Sequence, residues 1–304
     1  MRSSALFPWL AAVATIVLWA SAFPFITLGL QGTGPIELAA MRFAAAGLVM
    51  AVILVAIRTR LPSRADIWRI LACGALGIAL YNILLNSGQR SVSPGAAAFL
   101  IAIQPIFTAI LAERFLGERF GLAGWIGTAI SLAGAALVAA GQPGGLSFGS
   151  GAMLVLLAAV CSGSYFALQR PLVARYGALR SAAMTLITGG VLLSPWLPAG
   201  IADAAAHPQT ALVALYLALG PGVAGYLFWM VMLDRFGAAR AANFLYLVPP
   251  VVTAMSIPLT GHRPDLAILA GGAVAIAGVA MVNLSKARAN RLASQAANPS
   301  PEVV

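Results

Sequence analysis

The chain has 304 residues, of which 61% are hydrophobic and 9% charged, with a mean hydropathy of +0.94 and a formal net charge of +10. Soluble domains carry about 25% charged residues, so this composition excludes an ordinary soluble fold and indicates a protein of the lipid bilayer. The arginines lie between apolar runs, which is typical of membrane topology rather than of nucleic-acid binding.

Apolar runs of about 20 residues, the length of a helix that crosses a bilayer, follow one another along the whole chain. They predict an all-α integral membrane protein with ten transmembrane helices in one bundle, because no connector is long enough to separate soluble domains. The polar segment 286–304 is predicted to be a disordered cytoplasmic tail. The spans are expected at about 9–28, 36–57, 68–88, 95–113, 121–140, 151–169, 181–198, 211–233, 240–258 and 265–284.

The first run leaves one alternative open. Its "WASAFP" stretch contains an Ala-Ser-Ala triplet, where a secretory signal peptide would be cleaved. The apolar stretch continues past the triplet to about Leu30, and only Arg2 precedes it, which favours a retained first span.

The arginines predict the orientation of the bundle. If the N-terminus is cytoplasmic, only Arg90 and Arg263 fall in outer loops, Arg42 lies within the second span, and the other fifteen of the 18 Lys and Arg residues fall on the inner side. Cytoplasmic loops of membrane proteins carry an excess of Lys and Arg. We therefore expect a multi-pass protein of a bacterial inner membrane with both termini in the cytoplasm.

The chain repeats itself. "AAAFLIAIQPIFT" at 96–108 returns as "AANFLYLVPPVVT" at 241–253, and "GWIGTAISLAGAALV" at 124–138 matches "LAGGAVAIAGVAMV" at 269–282. The copies define two five-helix repeats, 1–145 and 146–285. Five spans is an odd number, so the second repeat enters the membrane from the opposite side, as in alternating-access transporters whose substrate site lies between inverted repeats. Chance similarity of apolar helices is the alternative.

These residues carry a family resemblance. "LWASAFPF" in the first span, "AAMRFAAAGL" in the second, "AIQPIFTAILAERFLGER" at the end of the fourth and the glycine-rich fifth and tenth spans resemble the EamA-like division of the drug/metabolite transporter superfamily. Within it the chain is most similar to YddG-type exporters of aromatic and other neutral amino acids. The second copy departs from the pattern, since Gly117-Glu118 is matched by Gly261-His262, which puts in doubt a shared role for that acid in both halves.

No carboxylate is predicted near the bilayer centre. Glu37, Glu113, Glu118, Asp234 and Asp265 all fall at predicted span ends. Proton-coupled exporters of cationic drugs usually need a buried acid, so the pattern favours a neutral or zwitterionic substrate without a mid-membrane proton relay.

Polar and aromatic side chains recur at helical spacing in several spans, so they share faces that should point into the bundle. One interpretation is that they join helices and stabilise the bundle. The other is that amides and hydroxyls bind the carboxylate and amine of an amino acid while aromatic faces contact its side chain. The candidate substrate-binding residues are Trp19, Tyr81, Asn82, Asn86, Tyr165, Gln169, Tyr226, Trp229, Asn243 and Tyr246.

Prolines and one arginine complete the set of candidates. Pro105, Pro249 and Pro250 fall within the fourth and ninth spans, where a missing N–H weakens a helix, so they are candidate hinges or ordinary packing features. Arg42 lies inside the second span and could reach outward to the membrane surface, or pair with an interior carbonyl or a substrate carboxylate.

Catalytic signatures are missing from the sequence. The two histidines lie 55 residues apart in predicted outer loops, and we expect no enzyme, no metal and no cofactor. The expected function is export of small metabolites, chiefly aromatic or neutral amino acids, by a monomer that contacts membrane lipids and no nucleic acid. Export of other amphipathic molecules such as drugs or nucleosides, or a non-saturating channel or lipid-moving protein, remains the alternative.

Overall fold

A computed structural model describes residues 6–59, 61–118, 120–140, 151–260 and 266–297, and no strand occurs within these ranges. The helices are α1 (Phe7–Gly29), α2 (Pro35–Ala56), α3 (Ile67–Cys73), α4 (Tyr81–Gly88), α5 (Pro94–Ile101), α6 (Gln104–Leu116), α7 (Gly121–Ala140), α8 (Ala152–Leu193), α9 (Leu197–Ala206), α10 (Pro208–Leu217), α11 (Gly225–Phe236), α12 (Ala238–Asn243), α13 (Val248–Thr260) and α14 (Leu266–Ala297).

Seven helical stretches within the described residues are long and apolar enough to cross a membrane. They confirm a multi-pass helical protein. The number of ten spans stays a prediction. The stretches are Phe7–Gly29, Pro35–Ala56, Arg64–Gly88, Pro94–Leu116, Gly121–Ala140, Ala152–Ala206 and Pro208–Phe236, and the shorter apolar helix Leu269–Leu284 follows them.

The longest stretch contains a break at Gly177. This residue has φ 78° and ψ 171°, a backbone conformation that is essentially restricted to glycine. Gly237, between α11 and α12, has the same conformation with φ 79° and ψ 168°. Both glycines fall in a similar local sequence, "RYGALR" and "RFGAAR", and each lies between two helical segments.

The last helix differs from the predicted disordered tail. α14 continues to Ala297, so residues 286–297 are helical, and residues 298–304 lie outside the described residues. The segment "KARANRLASQAA" consists largely of Ala, Lys, Arg, Leu and Gln, which have high helix propensity, and the apolar helix before it supplies the nucleus.

The helices α7 and α14 run antiparallel and pack closely through glycines. A Cβ placed on Gly134 would lie 2.6 Å from the carbonyl oxygen of Gly271, and one on Gly127 would lie 2.9 Å from that of Gly278. The residue number rises along one helix as it falls along the other, so the two run in opposite directions. Small residues at such a seam allow the backbones to approach.

Two π-helical segments interrupt the third and the eighth apolar runs. They cover Gly74–Leu80 and Ala218–Ala224, which are 144 positions apart, the offset of the sequence repeat. A second pair of interruptions follows the same pattern, between α5 and α6 at residues 102–103 and in the 3₁₀ turn Phe244–Leu247 before α13. Irregular turns of this kind leave backbone carbonyls without their usual helical donor.

Hydrogen bonds join distant connections at two ends of the bundle. At the end that we call the first face, Asp66 accepts from Arg175 and Tyr176, and Glu118 accepts from Ala238. At the opposite end, the second face, Thr33 donates to Asp203 at 2.7 Å and Ser91 accepts from the N–H of Gly151. The connections therefore alternate between the two faces along the chain.

Candidate functional site

A cavity lies inside the bundle, with an empty volume of ≈ 620 Å³ that includes its opening to solvent. Residues of both copies of the repeat contribute to its wall, so it lies between the halves. The polar or aromatic residues of the wall are Trp19, Phe23, Arg42, Tyr81, Gln104, Ser162, Phe166 and Tyr226, and its apolar residues are Ala22, Ile26, Leu85, Ala98, Ile101, Ala102, Leu245 and Val248.

Aromatic rings form one side of this cavity. Trp19 stacks on Phe166 with 6.0 Å between the ring centroids, and its centroid lies 5.4 Å from those of Tyr226 and Trp229. Phe166 in turn lies 4.0 Å from Trp229. Aromatic rings at such separations attract each other beyond simple area burial, so the group is a rigid apolar surface.

Cavity residues bind backbone carbonyls in or directly beside the two π-helical segments. Trp19 Nε1 donates to Pro221 O at 3.1 Å, and Arg42 Nε donates at 3.2 Å to the carbonyl of Leu217, the residue directly before the second segment. On the other side, the Tyr226 hydroxyl donates to Gly77 O at 3.4 Å. Buried carbonyls need a donor, and here the donors are the side chains that also face the cavity. Interruptions of this kind are frequent at functional sites.

Arg42 is buried, with 5% of its surface exposed, and so does not reach outward to the membrane surface. Its Nη1 donates to Asn82 Oδ1 at 3.2 Å, and its guanidinium lies 4.7 Å from the centroid of the Phe43 ring. Asn82 is held in place because its own Nδ2 donates to Ile78 O at 2.8 Å. None of the acidic residues within the described ranges forms an ion pair with Arg42.

The residues predicted to bind substrate fall into three groups. Trp19, Tyr81 and Tyr226 line the cavity. Asn82, Tyr165 and Trp229 contact the lining residues, through the Arg42 bond and through rings at 5.4 Å from Phe166 and Trp19 respectively. The other four, Asn86, Gln169, Asn243 and Tyr246, are buried outside the lining.

Three residues of this outer group have hydrogen-bond partners. Asn86 donates to Pro35 O at 2.9 Å, and Asn243 donates to Thr128 Oγ1 at 2.8 Å. Gln169 accepts from Trp229 Nε1 at 3.2 Å and thus supports the aromatic wall from behind. The Tyr246 hydroxyl is buried and has no partner among the described residues. Their substrate-binding role stays a prediction.

Sequence reasoning missed several lining residues. Phe23, Ile26 and Leu245 are apolar, and in a membrane protein an apolar residue that faces a cavity has the same signature as one that faces lipid. Gln104 and Phe166 carried a signal, since one is a lone amide in the repeated "AIQPIFT" stretch and the other follows Tyr165 directly. The direction of the helix face decides which of two neighbours meets the cavity.

The three prolines lie beside helix interruptions. Pro105 is in the first turn of α6, directly after the break at residues 102–103, and Pro249 and Pro250 are in the first turn of α13, after the 3₁₀ turn. The positions agree with weak points in the fourth and ninth runs. Bending at these points stays a prediction.

Polar contacts join the two halves at the first face. Glu118 accepts from the backbone N–H of Ala238 at 2.8 Å and of Ala239 at 3.1 Å, and Arg170 lies 3.9 Å from the same carboxylate. Asp66 is buried and accepts from Arg175 at 2.7 Å and from the Tyr176 hydroxyl at 2.6 Å. Membrane-length apolar helices around a cavity, with polar contacts between the halves at one end, are typical of polytopic membrane transporters.

Comparison with known proteins names the family. The model of the EamA-like transporter family matches residues 6–140 and again residues 149–284, and the chain belongs to this family, within the drug/metabolite transporter superfamily. The two matches coincide with the two copies seen in the sequence. The family and its relatives indicate a transporter rather than an enzyme.

Named relatives cover most of the chain. It is 39% identical over 274 residues to a Streptantibioticus cattleyicolor protein named "Probable terminal-alkyne amino-acid exporter", covering 90% of this chain and 92% of the relative. It is 35% identical to the "Uncharacterized transporter YdfC" of Bacillus subtilis, covering 91% of each. A solved crystal structure shares the fold with a TM-score of 0.69 and 21% identity over 92% of this chain and 97% of that one.

Proposed function

We propose that this protein is a ten-span inner-membrane carrier that exports aromatic and other neutral amino acids by alternating access. Its two five-helix repeats are inverted relative to each other, and the substrate binds in the cavity between them. The antiparallel α7–α14 seam, the π-helical segments 144 positions apart and the alternation of connections between two faces support this arrangement.

The observation that carries the amino-acid assignment is the pairing of an aromatic wall with a buried, acid-free Arg42 in one cavity. The wall suits an apolar or aromatic side chain, and the guanidinium suits a carboxylate. A bulky anionic nucleotide would need several interior cations, and Arg42 alone among the lining residues carries a charge. The name of the Streptantibioticus relative, an amino-acid exporter, agrees with this class.

Orientation and energy coupling follow from charge placement. The first face carries Arg58, Arg64, Arg175 and Arg235 and is therefore assigned to the cytoplasm, with both termini on that side. The lining residues include no carboxylate. We expect facilitated flux driven by the substrate gradient, without a proton relay at the centre of the membrane.

The proposal is tested with purified protein in liposomes. The transport rates of labelled L-phenylalanine and of labelled L-propargylglycine, an amino acid with a terminal alkyne, are measured with and without a proton gradient. Saturable, trans-stimulated flux without a gradient is the expected result. Strict dependence on a proton gradient would contradict the coupling mechanism, and flux that does not saturate would favour a channel.

The alternative class of substrate is tested in the same vesicles. A lipophilic cationic dye and a nucleoside take the place of the amino acids, and protein-free liposomes supply the background rate. Transport of either probe with no amino-acid flux would replace the proposed substrate by amphipathic molecules in general.

A further inference from the structure

Arg42 has more donors than partners. A guanidinium carries five N–H groups, of which Nε and one Nη1 hydrogen are used by Leu217 O and Asn82 Oδ1. The remaining three have no acceptor among the described residues, although the side chain is buried and lines the cavity. A buried cation without an acid is unfavourable unless an anion reaches it, and the cavity is the route by which one can arrive.

Backbone carbonyls, which accept hydrogen bonds, belong to the wall of the same cavity at the C-terminal end of α5. Pro105 has no N–H, so the carbonyl of Ile101 lacks its helical donor four residues on. The N–H of Ile106 donates to Ile103 O at 3.1 Å, which leaves the carbonyl of Ala102 without its donor as well. No donor to the Ala102 carbonyl occurs among the described residues, and both Ile101 and Ala102 line the cavity.

These carbonyls carry partial negative charge. They lie at the C-terminal end of α5, where the helix dipole adds partial negative charge. Gln104 lines the same wall, is 4% exposed, and its amide oxygen is buried without a partner. Carbonyls at a broken membrane helix are suited to bind a cation, as they do in transporters with discontinuous helices.

We propose that the cavity has two fixed poles for the backbone of its substrate. Arg42 binds the α-carboxylate, and the carbonyls of Ile101 and Ala102 together with Gln104 bind the α-ammonium group. The side chain of the substrate then contacts Trp19 and Phe166. This inference rests on the proposed function, and it limits the substrates to α-amino acids in which both charged groups are free.

The first test needs no variant. Unlabelled L-phenylalanine, 2-phenylethylamine and 3-phenylpropionate compete against labelled L-phenylalanine in liposomes; the second competitor lacks the carboxylate and the third lacks the amine. A charge-assisted hydrogen bond lost from a buried site corresponds to about a tenfold to hundredfold weaker affinity. Each truncated competitor should be weaker than phenylalanine by that factor, and equal competition by either would remove the corresponding pole.

Arg42→Gln tests the carboxylate pole. In this variant phenylalanine should lose its advantage over 2-phenylethylamine, while its advantage over 3-phenylpropionate stays. A purely structural arginine would instead lower transport without changing the ratio of the two competitors, and that result would overturn the assignment. Arg90→Gln, the same change at an exposed residue of the second face, is the matched control and should keep both ratios.

Pro105→Ala tests the ammonium pole, because the new N–H at position 105 can bind the carbonyl of Ile101. The advantage of phenylalanine over 3-phenylpropionate should fall, and the advantage over 2-phenylethylamine should stay. An unchanged ratio would exclude this carbonyl from the site. If the wild-type protein moves no amino acid at all, the proposed function fails. If the wild-type protein transports phenylalanine and both variants keep the wild-type competition ratios, only the two-pole inference fails.

Discussion

Ser131 and Ala275 meet at the seam between α7 and α14, where the Ser131 hydroxyl donates to the Ala275 carbonyl at 3.4 Å. The two residues are 144 positions apart, so each occupies the place of the other in the sequence repeat. A residue and its repeat mate meet in this way when they lie beside the twofold axis that relates two inverted copies. The contact therefore supports the inverted arrangement of the halves.

Gly134→Ala should open this seam. The new Cβ would lie 2.6 Å from Gly271 O, closer than atoms of packed proteins approach, so the helices must separate. We expect a loss of about 1–3 kcal/mol, the usual effect of overpacking, measured as a lower unfolding temperature in detergent. Gly272→Ala is the control on α14, because its Cβ would lie 3.6 Å from Pro250 Cβ, an ordinary van der Waals distance. Equal unfolding temperatures of the two variants would contradict the close packing of α7 against α14.

Glu118→Ala should weaken the contacts between the halves at the first face. It removes the acceptor of two backbone N–H groups at the start of α12 and leaves Arg170 without this carboxylate. We expect a destabilisation of about 1–3 kcal/mol and faster labelling of a cysteine placed at Ala238.

The control for this variant is Glu113→Ala, which removes an exposed carboxylate that accepts from Phe120 and Trp125 within its own half. Since Glu113 joins no residues of the second half, the cysteine should be labelled at the wild-type rate. Slower or unchanged labelling in Glu118→Ala would show that the carboxylate does not hold the halves together.

Trp229→Phe should lower the apparent affinity for phenylalanine while the protein still folds. The smaller ring keeps apolar contact with Phe166 but loses the bond from Nε1 to Gln169. Trp229→Ala should abolish transport, although the lost volume at a fully buried site also costs about 3–5 kcal/mol. Saturation kinetics in liposomes, with folded yield measured by gel filtration, separate the two effects. A wild-type KM in Trp229→Phe would assign this ring to packing alone.

Tyr246→Phe separates binding from packing at a second aromatic residue. The hydroxyl is buried without a partner among the described residues, so its removal should not destabilise the fold and should raise the free energy of unfolding by up to about 1–3 kcal/mol. If the hydroxyl meets the substrate in another conformation of the carrier, transport falls although stability does not. Tyr246→Ala should abolish transport, and full activity of both variants would remove Tyr246 from the candidate site.

Cysteine labelling tests the orientation. With Cys73 and Cys161 replaced, Arg90→Cys on the second face should react with a membrane-impermeant thiol reagent in intact cells. Leu61 lies on the first face and is 91% exposed, so a cysteine in its place should react only after permeabilisation. Labelling in the reverse order would place the termini outside, contrary to the distribution of arginine.

Part of the fold could be predicted because lipid imposes simple rules. Runs of about 20 apolar residues define helices, since no other open structure satisfies backbone groups in hydrocarbon. The repeated glycines predicted that α7 and α14 are alike, and Pro105 predicted a weak point beside which the fourth run is indeed interrupted. The helical conformation of residues 286–297 was missed, because polar composition indicated disorder while helix propensity favoured continuation of α14.

The sequence by itself determined the membrane class, the family and the presence of two related halves. Only the tertiary structure decided that Trp19, Tyr81 and Tyr226 share a cavity with Arg42 and the end of α5, whereas Asn243 bonds to Thr128 outside it. The physical reason is that hydropathy reports whether a residue avoids water and not what it faces. Lipid, a neighbouring helix and an apolar cavity wall all select the same residues, and only the rotation of each helix distinguishes them.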